Sequence, residues 1–189
     1  MKVKKLVESD FTVTNWSGGT TRQLFIYPEN SDYEKRNFDF RISSATVEEE
    51  KTTFTALPEY HRILMVLENQ VTLFHEVSSV HLKPYEQTSF EGSRVTKSEG
   101  CCTDFNLMFT DDYFGEVTAK IGKAEEILTP HAQYFFYSIT DNITFEIGQT
   151  TILIHAGELM SLSELSEKEE IKINSSSQPA WIQVKLTKK

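Results

Sequence analysis

Short stretches in which apolar and polar residues alternate recur along the chain, separated by turn residues. The cleanest is Phe38-Asp-Phe-Arg-Ile-Ser-Ser-Ala-Thr-Val. Here Phe38, Phe40, Ile42 and Ser44 fall on one side and Asp39, Arg41, Ser43 and Ala45 on the other. A period of two marks a strand with differing faces. The same reading predicts strands over residues 11–14, 23–27, 62–67, 71–75, 80–82, 87–90 and 103–109. Residues 28–37 read as a polar loop whose one obvious apolar member is Tyr33, and 48–51 as a solvated charged turn. The apolar run ending at Leu67 is followed by Glu-Asn-Gln and then by Val71, which predicts a hairpin turning over residues 68–70. Helix is scarce, and the one short piece expected lies over residues 124–128.

The second half of the chain repeats the first. Leu67-Glu-Asn-Gln-Val-Thr-Leu matches Ile139-Thr-Asp-Asn-Ile-Thr-Phe at an offset of 72 residues, as Lys83-Pro-Tyr-Glu matches His155-Ala-Gly-Glu and Phe90 matches Leu162. With a few extra residues in the second copy, Asp104-Phe-Asn-Leu-Met aligns with Trp181-Ile-Gln-Val-Lys. The order of features is the strand grammar of a small β-barrel. The expected fold is all-β with little helix: a bicupin of two tandem jelly-roll barrels. The acidic stretch 110–115 divides it into an N-terminal barrel over residues 1–112 and a C-terminal one over 113–189.

Composition narrows the partners. The 189 residues include 28 acidic and 19 basic ones, a net charge of −9, which argues against a nucleic-acid partner. A small anionic ligand stays compatible with that sign, because a local arginine pair can act against the global charge. The two cysteines, Cys101 and Cys102, are adjacent and suggest neither a disulfide framework nor a zinc site. No signal peptide or membrane span is legible, so a cytoplasmic protein without a membrane partner is expected. The oligomeric state is open, a homodimer included.

Candidate chemistry begins at Asn15-Trp-Ser-Gly-Gly-Thr-Thr-Arg. Gly18 and Gly19 can bring a ligand close to main-chain N–H groups, Asn15 and Thr20 add hydrogen bonds, and Trp16 offers a flat wall. A tight hairpin with a core tryptophan explains the same residues. Arg41 shares a strand face with Ser43, and Arg62 opens an apolar strand, where a charge is costly unless paired. Asp104 and Asn106 lie on another apolar strand. They form either an Arg–Asp pin between strands or the lining of a pocket for a small carboxylate metabolite. His61, His75, His81 and His155 do not make the His-x-His pattern of a metal-binding cupin, so no metal or other cofactor is expected. No nucleophile, histidine and acid occur in a recognisable arrangement, so no catalytic residue is assigned. A metal-independent enzyme acting on a small polar or acidic metabolite, with Asp104 and Glu59 or a cysteine and His61, is the alternative to a binding protein.

Several blocks resemble the HutD/Ves family. Trp16-Ser-Gly-Gly-Thr-Thr-Arg-Gln-Leu is similar to its glycine-rich signature. Phe38-Asp-Phe-Arg-Ile-Ser-Ser-Ala is similar to its Phe-x-Trp-Arg-x-Ser-x-Ala strand. Phe54-Thr-Ala-Leu-Pro-Glu-Tyr-His-Arg-Ile-Leu is similar to its Phe-x-x-Phe-Pro-Gly-x-x-Arg-x-Leu segment, and Ser89-Phe-Glu-Gly and Thr103-Asp-Phe-Asn-Leu-Met to later blocks. The resemblance covers the first 110 residues in order. It implies a bicupin and favours the pocket reading of the two arginines. It also implies a regulatory role like that of HutD-type limiters of histidine utilisation. Ser17, Gln23 and Phe40 depart from the family pattern, so the pocket is expected to persist while the ligand differs.

Overall fold

The computed structural model describes residues 1–139, 142–175 and 180–189. Within them the chain is strands and turns, and the one helical piece is a 3-10 turn at Glu8–Asp10. No helix among the described residues is long and apolar enough to cross a membrane. Contacts divide the chain into two units, Phe11–Asp112 and Met1–Asp10 with Tyr113–Lys189. The first ten residues thus depart from the division expected at 112/113. Strand β1 (Lys2–Leu6) pairs along its length with Leu159–Ser163. Lys5 fixes it there, its Nζ lying 2.7 Å from Glu158 and donating to Leu153 O at 2.9 Å. Three lysines and one buried residue give this strand no apolar period, which is why the sequence is silent about it.

In the Phe11–Asp112 unit the strands are β2 (Thr12–Trp16), β3 (Gly19–Tyr27), β4 (Phe40–Val47), β5 (Lys51–Thr53) and β6 (His61–Asn69). They continue with β7 (Val71–His75), β8 (Ser78–Leu82), β9 (Gln87–Glu91), β10 (Lys97–Glu99) and β11 (Cys102–Phe109). They form an antiparallel six-stranded sheet, β2-β3-β4-β11-β6-β9, and a four-stranded one, β5-β10-β7-β8. Val47, Leu64, Val66 and Cys102 of the first sheet pack against Val71, Leu73 and Leu82 of the second. Each fully buried aliphatic side chain there stabilises the sandwich by about 1.5–3 kcal/mol.

The hairpin expected over residues 68–70 does not form. β6 pairs with β11 and β9, whereas β7 pairs with β10 and β8. The chain therefore crosses from one sheet to the other at Gln70, with Asn69 at φ 63°, a left-handed conformation that asparagine tolerates. A corner and a hairpin both need a polar turn between two strands that face one core, so the pattern cannot tell them apart.

The second unit repeats this plan. Its strands are β12 (Tyr113–Ile121), β13 (Ala124–Leu128), β14 (Ala132–Ser138), β15 (Ile143–Ile147), β16 (Thr150–Ile154), β17 (Leu159–Ser163), β18 (Glu169–Ser175) and β19 (Ala180–Lys188). The orders β17-β14-β19-β12 and β13-β18-β15-β16 match β9-β6-β11-β4 and β5-β10-β7-β8 strand for strand. Even the turns agree. Glu86 and Glu158 accept hydrogen bonds from the N–H of Lys83 and His155 at 2.8 and 2.7 Å. Tyr85 and Gly157, at φ 68° and 80°, donate to Val66 O and Ser138 O at 2.7 and 2.8 Å. Residues 124–128, expected as helix, are strand β13, which pairs with β18. Its exposure alternates residue by residue, with Leu128 buried and Ile127 exposed, so its period is two and not 3.6. Part of the matched segment at 139–145 lies outside the described residues.

The pairing of β1 makes a clear prediction. Removing residues 1–7 makes β17 an edge strand, so the amides of Leu159–Ser163 that donate to β1 lose exchange protection, while those that donate to β14 keep it and β7 and β8 are unchanged; protection unchanged at every amide of β17 would show that β1 contributes nothing there.

Candidate functional site

The inner face of the six-stranded sheet changes character along its strands. Towards one end Val47, Leu64 and Val66 belong to the apolar core. Towards the other the same face carries charge. Register places Arg41, Met108 and Arg62 side by side on β4, β11 and β6. Two residues further along β11, Ser43 and Leu64 flank Asn106, and two further still Ala45 and Val66 flank Asp104. Arg41, Ser43, Arg62, Asp104 and Asn106, polar as they are, are each no more than 6% exposed.

These side chains line a cavity of about 290 Å³, walled also by Trp16, Tyr33, Phe54 and Met108. That is the size of a small metabolite. Arg41 is held on two sides, donating from Nε to Gln23 Oε1 at 2.8 Å and from Nη1 to Ser43 Oγ at 3.2 Å. Its guanidinium lies 4.3 Å from the Tyr33 ring centre. Arg62 is held loosely. Its Nη1 and Nη2 reach Thr55 O and Asn106 Oδ1 only at 3.5 Å, its buried Nε has no partner, and its guanidinium lies 5.2 and 5.1 Å from the rings of Phe54 and Phe90. Asn106 bridges the charges, its Nδ2 donating to Asp104 Oδ1.

Burial dominates the electrostatics. It brings Arg41 down to about 10, with Tyr33 opposing and Arg62 and Arg36 adding to the fall. It lowers Arg62 too, against Tyr33 and Asp104. It raises the Asp104 carboxyl to about 7, against Arg62, the Ala45 backbone and Asn106. Two guanidiniums thus share the cavity with one carboxyl that burial pushes towards neutrality, and the cavity carries excess positive charge.

The glycine-rich segment contributes less than its composition suggests. β2 and β3 form a hairpin with Ser17 and Gly18 at its turn. Alternation sends Thr14, Trp16 and Thr21 to the cavity side. Asn15 and Thr20 bond to each other on the exposed side, at 3.2 Å. Both glycines pack closely against protein, and Gly18 also borders, with Trp16 and Ser17, a second hollow of about 810 Å³. A Cβ on Gly19 (φ 148°) would stand 1.9 Å from Thr46 O, and one on Gly18 would stand 2.0 Å from the Trp16 ring. Gly18 O is itself engaged, accepting from Glu48 N at 2.8 Å. Trp16 is fixed by its Nε1 donating to Thr21 Oγ1 at 3.1 Å.

Three lining or supporting residues escaped sequence reading. Gln23 faces Arg41 because a bulge between Gln23 and Phe25 shifts the alternation of β3. Phe54 follows a three-residue strand. Tyr33 comes from the 28–37 loop, where it was the one apolar residue. That loop is pinned by Tyr60, which stacks on Phe38 at 4.2 Å and donates to Phe38 O at 2.9 Å.

The catalytic alternatives are not assembled at the cavity. His61 lies between Glu91 and Asp111, at 2.9 and 2.6 Å. Cys101 is exposed, and burial, then Asp104 and Cys101, push the Cys102 thiol up to about 12. No group of three His, Cys, Asp or Glu side chains among the described residues is placed to hold a metal ion.

The HutD family model matches residues 8–180. The chain belongs to the HutD family. No curated protein matches it. Among solved structures, a conserved protein of unknown function from Pseudomonas aeruginosa PAO1 is similar at a TM-score of 0.87, with 18% identity over 99% of this chain and 100% of that one. HutD from Pseudomonas fluorescens SBW25 is similar at 0.81, with 16% identity over 100% of both chains. A Cupin 2 conserved barrel domain protein from Leptotrichia buccalis is similar at 0.59, with 7% identity over 100% of this chain and 98% of that one. At these identities the likeness is one of fold, and the fold is cupin-like.

Two stability predictions follow from the site. Gly19→Ala lowers the urea midpoint strongly, a loss of about 1–3 kcal/mol or more, because a Cβ meets backbone in a strained conformation; an unchanged midpoint would show that β3 can shift away. Asp104 takes a proton more readily when folded than when unfolded, so its contribution falls as pH rises from about 4 through about 7. Asp104→Asn therefore gains thermal midpoint relative to the parent on going from pH 5 to pH 8; equal gaps at both pH values would contradict the raised carboxyl.

Proposed function

We propose that this HutD-family chain is a non-catalytic bicupin that holds a small carboxylate metabolite in the cavity of its Phe11–Asp112 unit. Its role on this reading is regulatory, in the manner of a HutD-type limiter of histidine catabolism, in the cytoplasm. The observation that carries the reading is Arg62. A guanidinium that is 6% exposed, with an unpartnered Nε and two bonds of 3.5 Å, has no carboxylate in hydrogen-bond contact, Asp104 acting on it only through space. A carboxylate between Arg62 and Arg41 supplies two strong acceptors and offsets the buried charge. The tandem match of strand order supports two cupin units, of which only the first carries the arginine pair.

A metal-independent enzyme acting on the same acid is the second reading. Asp104 favours it, because a buried carboxyl near neutrality can accept and return a proton.

Calorimetry with urocanate, N-formylglutamate, glutamate and formate tests the first reading. One acid of this panel binds at one per chain. Arg62→Lys and Arg41→Lys each weaken it about ten- to a hundredfold, since an arginine–carboxylate contact is worth about 1.5–3 kcal/mol and lysine loses the two-pronged donor. Folded variants that bind like the parent would move the site elsewhere. An NMR spectrum in which the bound acid is converted to product would replace the binding reading by the enzymatic one.

A further inference from the structure

Asp104 stands apart from the other groups that line the cavity. It is 2% exposed, and its strand neighbours on the same face, Ala45 and Val66, are apolar. The two arginines lie four residues away along β11, level with Met108. Asn106 fills the interval, giving an N–H to Asp104 and its oxygen to Arg62 at 3.5 Å. The charged and titratable groups facing Asp104 are therefore few: Arg62 from β6, Arg41 from β4, Tyr33 from the loop, and the neighbouring Cys102, whose thiol stays neutral far above pH 7. No histidine, lysine or glutamate lines the cavity.

An acid entering this space adds negative charge before a carboxyl that has no cation in hydrogen-bond contact and feels Arg62 only through space. Arg62, which partly holds Asp104 ionised, turns its field onto the newcomer. We infer that the acid is bound together with a proton, which resides on Asp104, so that Asp104 presents the bound acid with an O–H donor instead of a second anion. The inference rests on the carboxylate reading above and adds its regulation: occupancy of the site rises as the medium acidifies. It also narrows the ligand to acids with an oxygen acceptor that can meet this O–H, whether a second carboxylate or an acyl oxygen.

Burial already holds Asp104 near 7, so the linkage falls in an accessible range. Between pH 6 and pH 8 the free carboxyl passes from mostly protonated towards mostly ionised, so proton uptake per acid bound rises and affinity falls across that range, by about tenfold for a carboxyl near 7. Titration calorimetry at pH 7 in HEPES and in Tris, which differ in ionisation enthalpy, counts the protons directly. The probe is the tightest-binding acid of the panel named above, with its own titration subtracted. The expected result is uptake of a fraction of a proton by the parent and none by Asp104→Asn, whose affinity no longer falls between pH 6 and pH 8. Binding with a heat independent of buffer overturns the inference and leaves the carboxylate reading intact. No binding by any acid of the panel between pH 6 and pH 8 overturns both. Should Asp104→Asn fail to fold, the buffer pair and the pH series on the parent decide alone.

Discussion

A guanidinium carries five N–H donors and a charge it cannot give up, so burying one inside a sandwich constrains everything around it. Arg62 is buried in this way, and its surroundings read as a response. Phe54 and Phe90 present ring faces, Asn106 presents its oxygen, and Thr55 its carbonyl. None is an anion in close contact, and Nε is left over. Arg41, one strand beyond β11, shows the contrast: Gln23 and Ser43 bind it tightly and Tyr33 covers it. One arginine is positioned and the other is available. On the proposed reading, a carboxylate resting between them would meet the free donor and offset the buried charge together.

The duplicated unit carries no arginine at the matching positions. Register aligns Arg41, Arg62, Asp104 and Asn106 with Glu116, Tyr134, Trp181 and Gln183. There the charged groups pair with one another, while Trp181 Nε1 and Gln183 Oε1 stay buried without a partner. Lys185 lies 3.7 Å from Glu116, Lys120 lies 3.0 Å from Glu126, and Gln183 donates to Glu126 at 2.7 Å. Tyr134 turns its hydroxyl to Thr129 at 2.9 Å. Strand order and turns were kept in both copies, because they follow from packing and backbone hydrogen bonding. Side chains at the polar end of the inner face were not, because the core does not depend on them. Function on a duplicated fold is set by a few such positions.

How much of this was legible in the sequence follows from the physics of each signal. Alternation over Phe38–Val47 places Arg41 and Ser43 together, and a charge opening the apolar strand of β6 marks Arg62, so the arginine pair and the Asp104–Asn106 face were readable. The 72-residue repeat was readable because turn chemistry repeats with it. The glycine pair is ambiguous in the sequence, since the freedom that lets a ligand approach equally lets Thr46 and Trp16 approach. Asn15 and Thr20 followed the glycines in composition but not in parity. The bulge that turns Gln23 inward, the loop that delivers Tyr33 and the strand exchange that carries β1 to β17 are non-local. Nothing in a window of a few residues encodes them.

The claim that an acid completes Arg62 is tested most directly at the Nε–H of that residue. The chain has five arginines, few enough to resolve and assign by their side-chain nitrogen–proton resonances. Titrating in the bound acid, the account predicts a strong downfield shift of the Arg62 Nε–H that saturates at one acid per chain, as an unpartnered donor gains an acceptor. An acid that binds while the Arg62 Nε–H stays where it was would contradict the account.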